Sequence, residues 1–156
     1  MSMSKFTLAA IVALIAAPAF ADDTPTGDAA KGEQIFNRQC ATCHVIQDDS
    51  GKVLAGRAAH IGPDLWHAMG RQPGTYPNFN YGDSMVAYGK TGVVWGHDNF
   101  VEYVQGPTPF LRKALGDNSA RGKMAFQLRN ATDAEDVYAF LYQYRTPAAD
   151  AAASSN

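Results

Sequence analysis

Residues 40–44 read Cys40-Ala41-Thr42-Cys43-His44, and they contain both cysteines of this 156-residue chain. Two thiols with two residues between them, followed at once by an imidazole, form C-x-x-C-H, the attachment pattern for a c-type haem. The spacing has a physical reason. The two thiols add across the two vinyl groups on one porphyrin edge, and the next residue then lies under the iron, where its ring nitrogen can bind. A dithiol redox motif needs a preceding strand in a βαβ setting, and the residues before Cys40 read as helix. A structural zinc site needs four ligands, and the remaining histidines, His60, His67 and His97, are scattered.

Upstream of the motif, Asp28 is placed to cap a helix running to about Arg38, with Gly32, Phe36 and Cys40 recurring on one face. Downstream, residues 45–60 (VIQDDSGKVLAGRAAH) and 70–81 (GRQPGTYPNFNY) read as loop. Asp83 to Lys90 suits a short helix. Asp98 to Gln105 suits a second, capped by Asp98 and stopped by Gly106-Pro107. Residues 107–131 mix Pro, Gly and polar side chains and read as irregular. Thr132-Asp133-Ala134-Glu135 has the form of a capping box. Val137, Phe140, Leu141 and Tyr144 then make one apolar stripe, and Pro147 ends that helix.

The inventory predicts an all-α fold: short helices and long loops, with no alternating strand pattern and no internal repeat. So much irregular backbone calls for a core supplied from elsewhere. A large flat apolar cofactor would supply it, so the loops are expected to wrap round one covalent haem.

Residues 1–21 have the pattern of a secretory signal. Lys5 precedes an apolar run of 12 residues (FTLAAIVALIAA), Pro18 breaks it, and Ala19-Phe20-Ala21 is a cleavage site. The run is short of the roughly 20 residues a spanning helix needs. The expected division is signal peptide 1–21 cleaved after Ala21, domain 22–147, and a low-complexity tail 148–156. The mature chain then carries 12 basic and 15 acidic side chains, a formal charge of −3. That balance argues against a nucleic-acid partner. The expected compartment is the periplasm, without a membrane anchor.

The sixth ligand decides between electron transfer and catalysis, because a haem iron held by His and Met is closed to substrates. The residues leave Met69, Met85, Met124 and the three other histidines as candidates. Met124 is favoured, since it lies in an irregular stretch before the last helix, where a loop can cross the far face of the haem. An open sixth position would instead mean a haem enzyme or gas sensor.

The chain resembles the class I cytochromes c, and most of all the soluble bacterial c-two type. The likeness runs from about Gly27 to Tyr144. GDAAKGEQIFNRQCATCH is similar to that family's first helix and haem site, and Gly62-Pro63-Asp64-Leu65 to its Gly-Pro-x-Leu turn. GRQPGTYPNFNY, WGHDNFVEYVQGP, GKMAF and TDAEDVYAFL follow in the family's order. The resemblance implies the cytochrome c fold, with haem c bound through Cys40 and Cys43 and its iron held by His44 and Met124. It also implies that the Pro63 carbonyl accepts a hydrogen bond from His44, and that Gly32 and Phe36 meet Val137 and Phe140. Trp95, Tyr81 and Arg71 are implied at the haem propionates, and Tyr103 near Met124. The implied function is a non-enzymatic, monomeric one-electron shuttle. Its donor would be a cytochrome bc-type complex. Its acceptor would be a photosynthetic reaction centre, a terminal oxidase or a nitrogen-oxide reductase.

One departure concerns docking. The family often rings the haem edge with lysines, whereas the mature chain has five, and Gln39 precedes Cys40. Arg38, Lys52, Arg57, Lys90, Arg112, Lys113, Arg121 and Lys123 remain candidates for a weaker positive rim.

Overall fold

The structure, a computed structural model, describes residues 24–145. The signal segment 1–21, Pro147 and the tail 148–156 lie outside the described residues.

Asp28 caps α1 (Ala29–Ile35), its Oδ1 accepting from the Ala30 and Lys31 amides at 3.0 and 3.2 Å. The chain does not stop at Arg38. It continues through a π-helical turn, Phe36–Cys40, closed by Ala41 N–H on the Phe36 carbonyl at 2.9 Å. Such turns admit one extra residue and occur often at functional sites.

Segment 45–60, expected as loop, contains a small antiparallel hairpin: β1 (Val45–Gln47) paired with β2 (Val53–Gly56). The turn is built by Asp48, whose Oδ1 accepts from Ser50 N at 2.9 Å and Lys52 N at 3.0 Å, with Gly51 at φ +85°. Strands this short leave no alternation to read. The fold is therefore mostly helical with one small sheet.

α2 spans Asp83–Gly89 and α3 His97–Gln105. The cap of α3 is Gly96, not Asp98: Asn99 Oδ1 accepts from the Gly96 amide at 2.9 Å. The irregular reading of 107–131 is corrected by α4 (Pro107–Leu115), which ends on Gly116 in the left-handed region at φ +63°. Gly106-Pro107 both stops α3 and starts α4, since proline fits the first helical turn.

α5 (Ala131–Tyr142) is capped by Asn130, which accepts from Thr132 N at 2.9 Å; Thr132 itself is not the cap. Its apolar stripe is buried as expected: Val137, Phe140 and Leu141 are each 2% exposed or less. Tyr144, just past the helix, sets its ring edge-on to Phe140 at 5.4 Å.

α1 crosses α5 so closely that a Cβ on Gly32 would overlap the Asp136 carbonyl and stand 2.9 Å from Phe140 Cβ. The Phe36 and Phe140 rings meet at 5.5 Å. The Asp28 amide donates to the buried Asp136 carboxylate at 2.7 Å. The glycine thus rests on Asp136 and Phe140, while Val137 is turned to the interior cavity. A second aromatic group joins Tyr88, Trp95, Tyr103 and Phe110 with centroids 5.0–6.0 Å apart, tying α2, α3 and α4 together.

Candidate cofactor site

Between these elements lies a cavity of about 720 Å³, in the size range of cofactor pockets. Cys40, Cys43 and His44 stand on its wall together with Met124. The helix end carries the three motif residues inward: Cys43 N–H and His44 N–H both donate to the Cys40 carbonyl, at 3.0 and 2.9 Å. The two sulfurs are not joined to each other in a disulfide. Burial, helped by the neighbouring Cys43, pushes the Cys40 thiol up to about 11.

The His44 ring is held by one bond. Its Nδ1–H donates to the Pro63 carbonyl at 2.8 Å, which leaves Nε2 as the nitrogen with a free lone pair. Burial lowers its pKa, and the Pro63 bond offsets only part of that, which favours the neutral form that can ligate. Gly62 makes the approach possible: a Cβ there would overlap the imidazole. Buried Asp64 fixes the turn, its Oδ1 accepting from Trp66 N at 2.8 Å and Gln47 N at 3.2 Å, so β1 positions the ring as well.

Arg71, Tyr81, Trp95 and Tyr103 also line the cavity. Arg71 donates to the carbonyls of Trp66 at 2.9 Å and Asp64 at 3.1 Å, and its guanidinium lies 5.0 Å from the Tyr76 ring centroid. It forms no salt bridge among the described residues. Burial lowers its pKa and raises those of Tyr81 and Tyr103. A half-buried cation on the cavity wall, bonded to two carbonyls and with no salt bridge among the described residues, fits an anionic substituent such as a propionate. The donor set, the apolar walls and the glycine cradle under His44 all fit a haem.

Three thioethers reach the cavity. Met69 and Met85 are 2% and 8% exposed, in a tight turn and on α2; Met124 is half-buried in the segment between α4 and α5. The other histidines do not line it. His60 is exposed, His67 stacks on Trp66 at 4.3 Å, and His97 engages Asp98 and Glu135.

Of the eight candidate rim cations, only Lys123 lines the cavity. Lys113 pairs with Glu102 at 2.7 Å, and Arg112 Nε donates to the Ala120 carbonyl at 3.1 Å. Sequence reasoning missed the two exposed apolar residues on the cavity wall, Ile61 at 73% and Phe126 at 39% exposure. Exposed apolar residues between loops carry no periodic signal.

The Cytochrome c family model matches residues 29–144. Cytochrome c2 of Rhodovulum adriaticum is 52% identical over 116 residues, covering 74% of this chain and 91% of the relative. Cytochrome c2 of Cereibacter sphaeroides is 47% identical over 137 residues, covering 87% and 92%. The crystal structure of cytochrome c2 from Rhodobacter sphaeroides superposes with a TM-score of 0.75 at 46% identity, covering 78% of this chain and 99% of that one. The chain belongs to the cytochrome c family, and it is an electron-transfer protein with one covalently attached haem c, not an enzyme.

Proposed function

We propose that this chain is an exported one-electron carrier whose haem is bound by Cys40 and Cys43, with the iron between His44 and Met124. The observation that carries the reading is the His44–Pro63 bond, which commits one ring nitrogen and frees the other toward the cavity wall it shares with Met124. When bound, the haem supplies an iron that alternates between the ferrous and ferric states. The chain's own part is to hold His44 rigidly and to exclude water with Phe36, Phe100 and Leu141. Arg71 offers an anion a counter-charge. Ile61 and Phe126 present an apolar edge to a partner. Apolar walls disfavour the more highly charged oxidised state and so raise the potential.

The partners we propose are a cytochrome bc-type complex as donor and a reaction centre, terminal oxidase or nitrogen-oxide reductase as acceptor. The names of the relatives, cytochrome c2 and cytochrome c-550, support this setting. Periplasmic location, cleavage after Ala21 and a monomeric state belong to the same reading. No helix among the described residues is long and apolar enough to cross a membrane.

The test is the near-infrared sulfur-to-iron charge-transfer band of the ferric, haem-loaded protein. The band is expected in the unmutated chain, in Met69→Leu and in Met85→Leu, and is lost in Met124→Ala. Survival of the band in Met124→Ala, or its loss in one of the leucine variants alone, would reassign the ligand.

A further inference from the structure

The segment leading to Met124 has no regular structure, yet each of its four preceding residues is bound by a different group. The Ala120 carbonyl accepts from Arg112 Nε at 3.1 Å. Arg121 N–H donates to Ser84 Oγ at 3.0 Å, and Gly122 N–H to Thr108 Oγ1 at 3.0 Å. Lys123 reaches over Gly82 to put Nζ 2.9 Å from the Asn80 carbonyl. Past Met124 the next backbone anchor among the described residues is Leu128 N–H on the Val104 carbonyl at 2.8 Å.

The two middle bonds stand apart from the others. They fall on consecutive amides, and their acceptors are the second residues of two helices, Ser84 of α2 and Thr108 of α4. Those helices pack on one another. There is little slack at the second anchor, where a Cβ on Gly122 would stand 3.1 Å from Pro107 Cβ. An irregular segment has no ladder of its own to fix it, so such side-chain bonds determine where it runs.

We propose that Ser84 and Thr108 are positioning residues, a two-hydroxyl clamp on the amides of Arg121 and Gly122 that sets how firmly the Met124 thioether is held in the cavity. The inference rests on the proposed ligation by Met124. Neither hydroxyl is assigned contact with the cofactor; both act through the backbone two and three residues upstream. Removing an acceptor unties its amide, the exposed one of Arg121 turning to water and the part-buried one of Gly122 losing its partner, and frees the segment to swing.

The experiment uses the haem-loaded protein with free imidazole as a competitor for the Met124 position. Ser84→Ala and Thr108→Val are each expected to tighten imidazole binding roughly fivefold to tenfold, the weight of one hydrogen bond. The near-infrared band should weaken in parallel. Thr108→Ser and Ser84→Thr, which keep a hydroxyl, should return both readouts toward the unmutated values. Asn130→Ala, which removes a cap bond elsewhere, should lower stability and leave imidazole affinity unchanged. Unaltered imidazole affinity in Ser84→Ala and Thr108→Val overturns the clamp, as does an equal tightening in Asn130→Ala. The ligand assignment fails separately, by persistence of the band in Met124→Ala.

Discussion

Pro63 offers its carbonyl oxygen to the Nδ1–H of His44 at 2.8 Å, while the residue before it, Gly62, has no side chain because the His44 ring fills that space. One turn both orients the imidazole and yields to it. Gly62→Ala is therefore expected to push the ring off this bond. Overpacking a tight site costs about 1–3 kcal/mol. The check is thermal unfolding of the haem-loaded variant together with its visible spectrum. A variant with unmutated stability and spectrum would mean that the turn relaxes freely.

Gly32 meets α5 by the same logic, but away from the cavity. Gly32→Ala should lower the denaturant midpoint by an amount equal to about 1–3 kcal/mol, because the clash falls on the Asp136 carbonyl and not on a flexible side-chain end. The charge-transfer band and redox potential should stay as they are, since Gly32 is not on the cavity wall.

His97 ties α3 to α5, with Nδ1 2.7 Å from Asp98 Oδ1 and Nε2 on Glu135 Oε2. Its ring also packs on Tyr138, and Thr26 Oγ1 lies 3.4 Å from the same Glu135 oxygen. Burial lowers its pKa, but the bonds to Asp98 and Glu135 outweigh burial and leave it raised. A raised folded pKa means that the stabilisation is full below the unfolded value of about 6.5. It is lost as pH rises through the higher folded value. The stability gap between the unmutated chain and His97→Gln should thus be widest in mildly acidic buffer and close toward alkaline pH. Denaturant titrations across that interval test this; a gap constant with pH would show that His97 acts by packing alone.

Asn130, not Thr132, caps α5. Asn130→Ala should cost about 1 kcal/mol, and Thr132→Ala only a few tenths. Paired urea melts would show the reverse order if the hydroxyl were the working cap.

The motif at 40–44 and the stripe Val137–Phe140–Leu141 were legible as short patterns with a physical reading, whereas the Gly62-Pro63 turn came only through the family resemblance. The caps of α3 and α5 were both placed too late in the sequence reading. Each true cap, Gly96 and Asn130, lies two residues upstream of the residue read as cap, while Asp98 and Glu135 bond His97 instead, in the second case across 38 residues. α4 was hidden because prolines 107 and 109 read as breakers, although in a first turn they are tolerated. That Met69 and Met85 share the cavity with Met124 depends on how loops fold back, which no local pattern records.

The bond from the Asp28 amide to Asp136 spans 108 residues, and it has a bearing on the order of assembly. Contacts so distant in the chain are the slowest to form, because their loop must be closed first. The helix on the far side of this bond also supplies Val137 and Leu141 to the cavity wall. If the chain is exported from its N-terminus, as proposed above, both cysteines would emerge early, on a first helix with nothing yet to lie against. The pocket is finished by the last helix to arrive. On the proposed attachment through Cys40 and Cys43, the haem would have an open approach during the interval before the two ends meet.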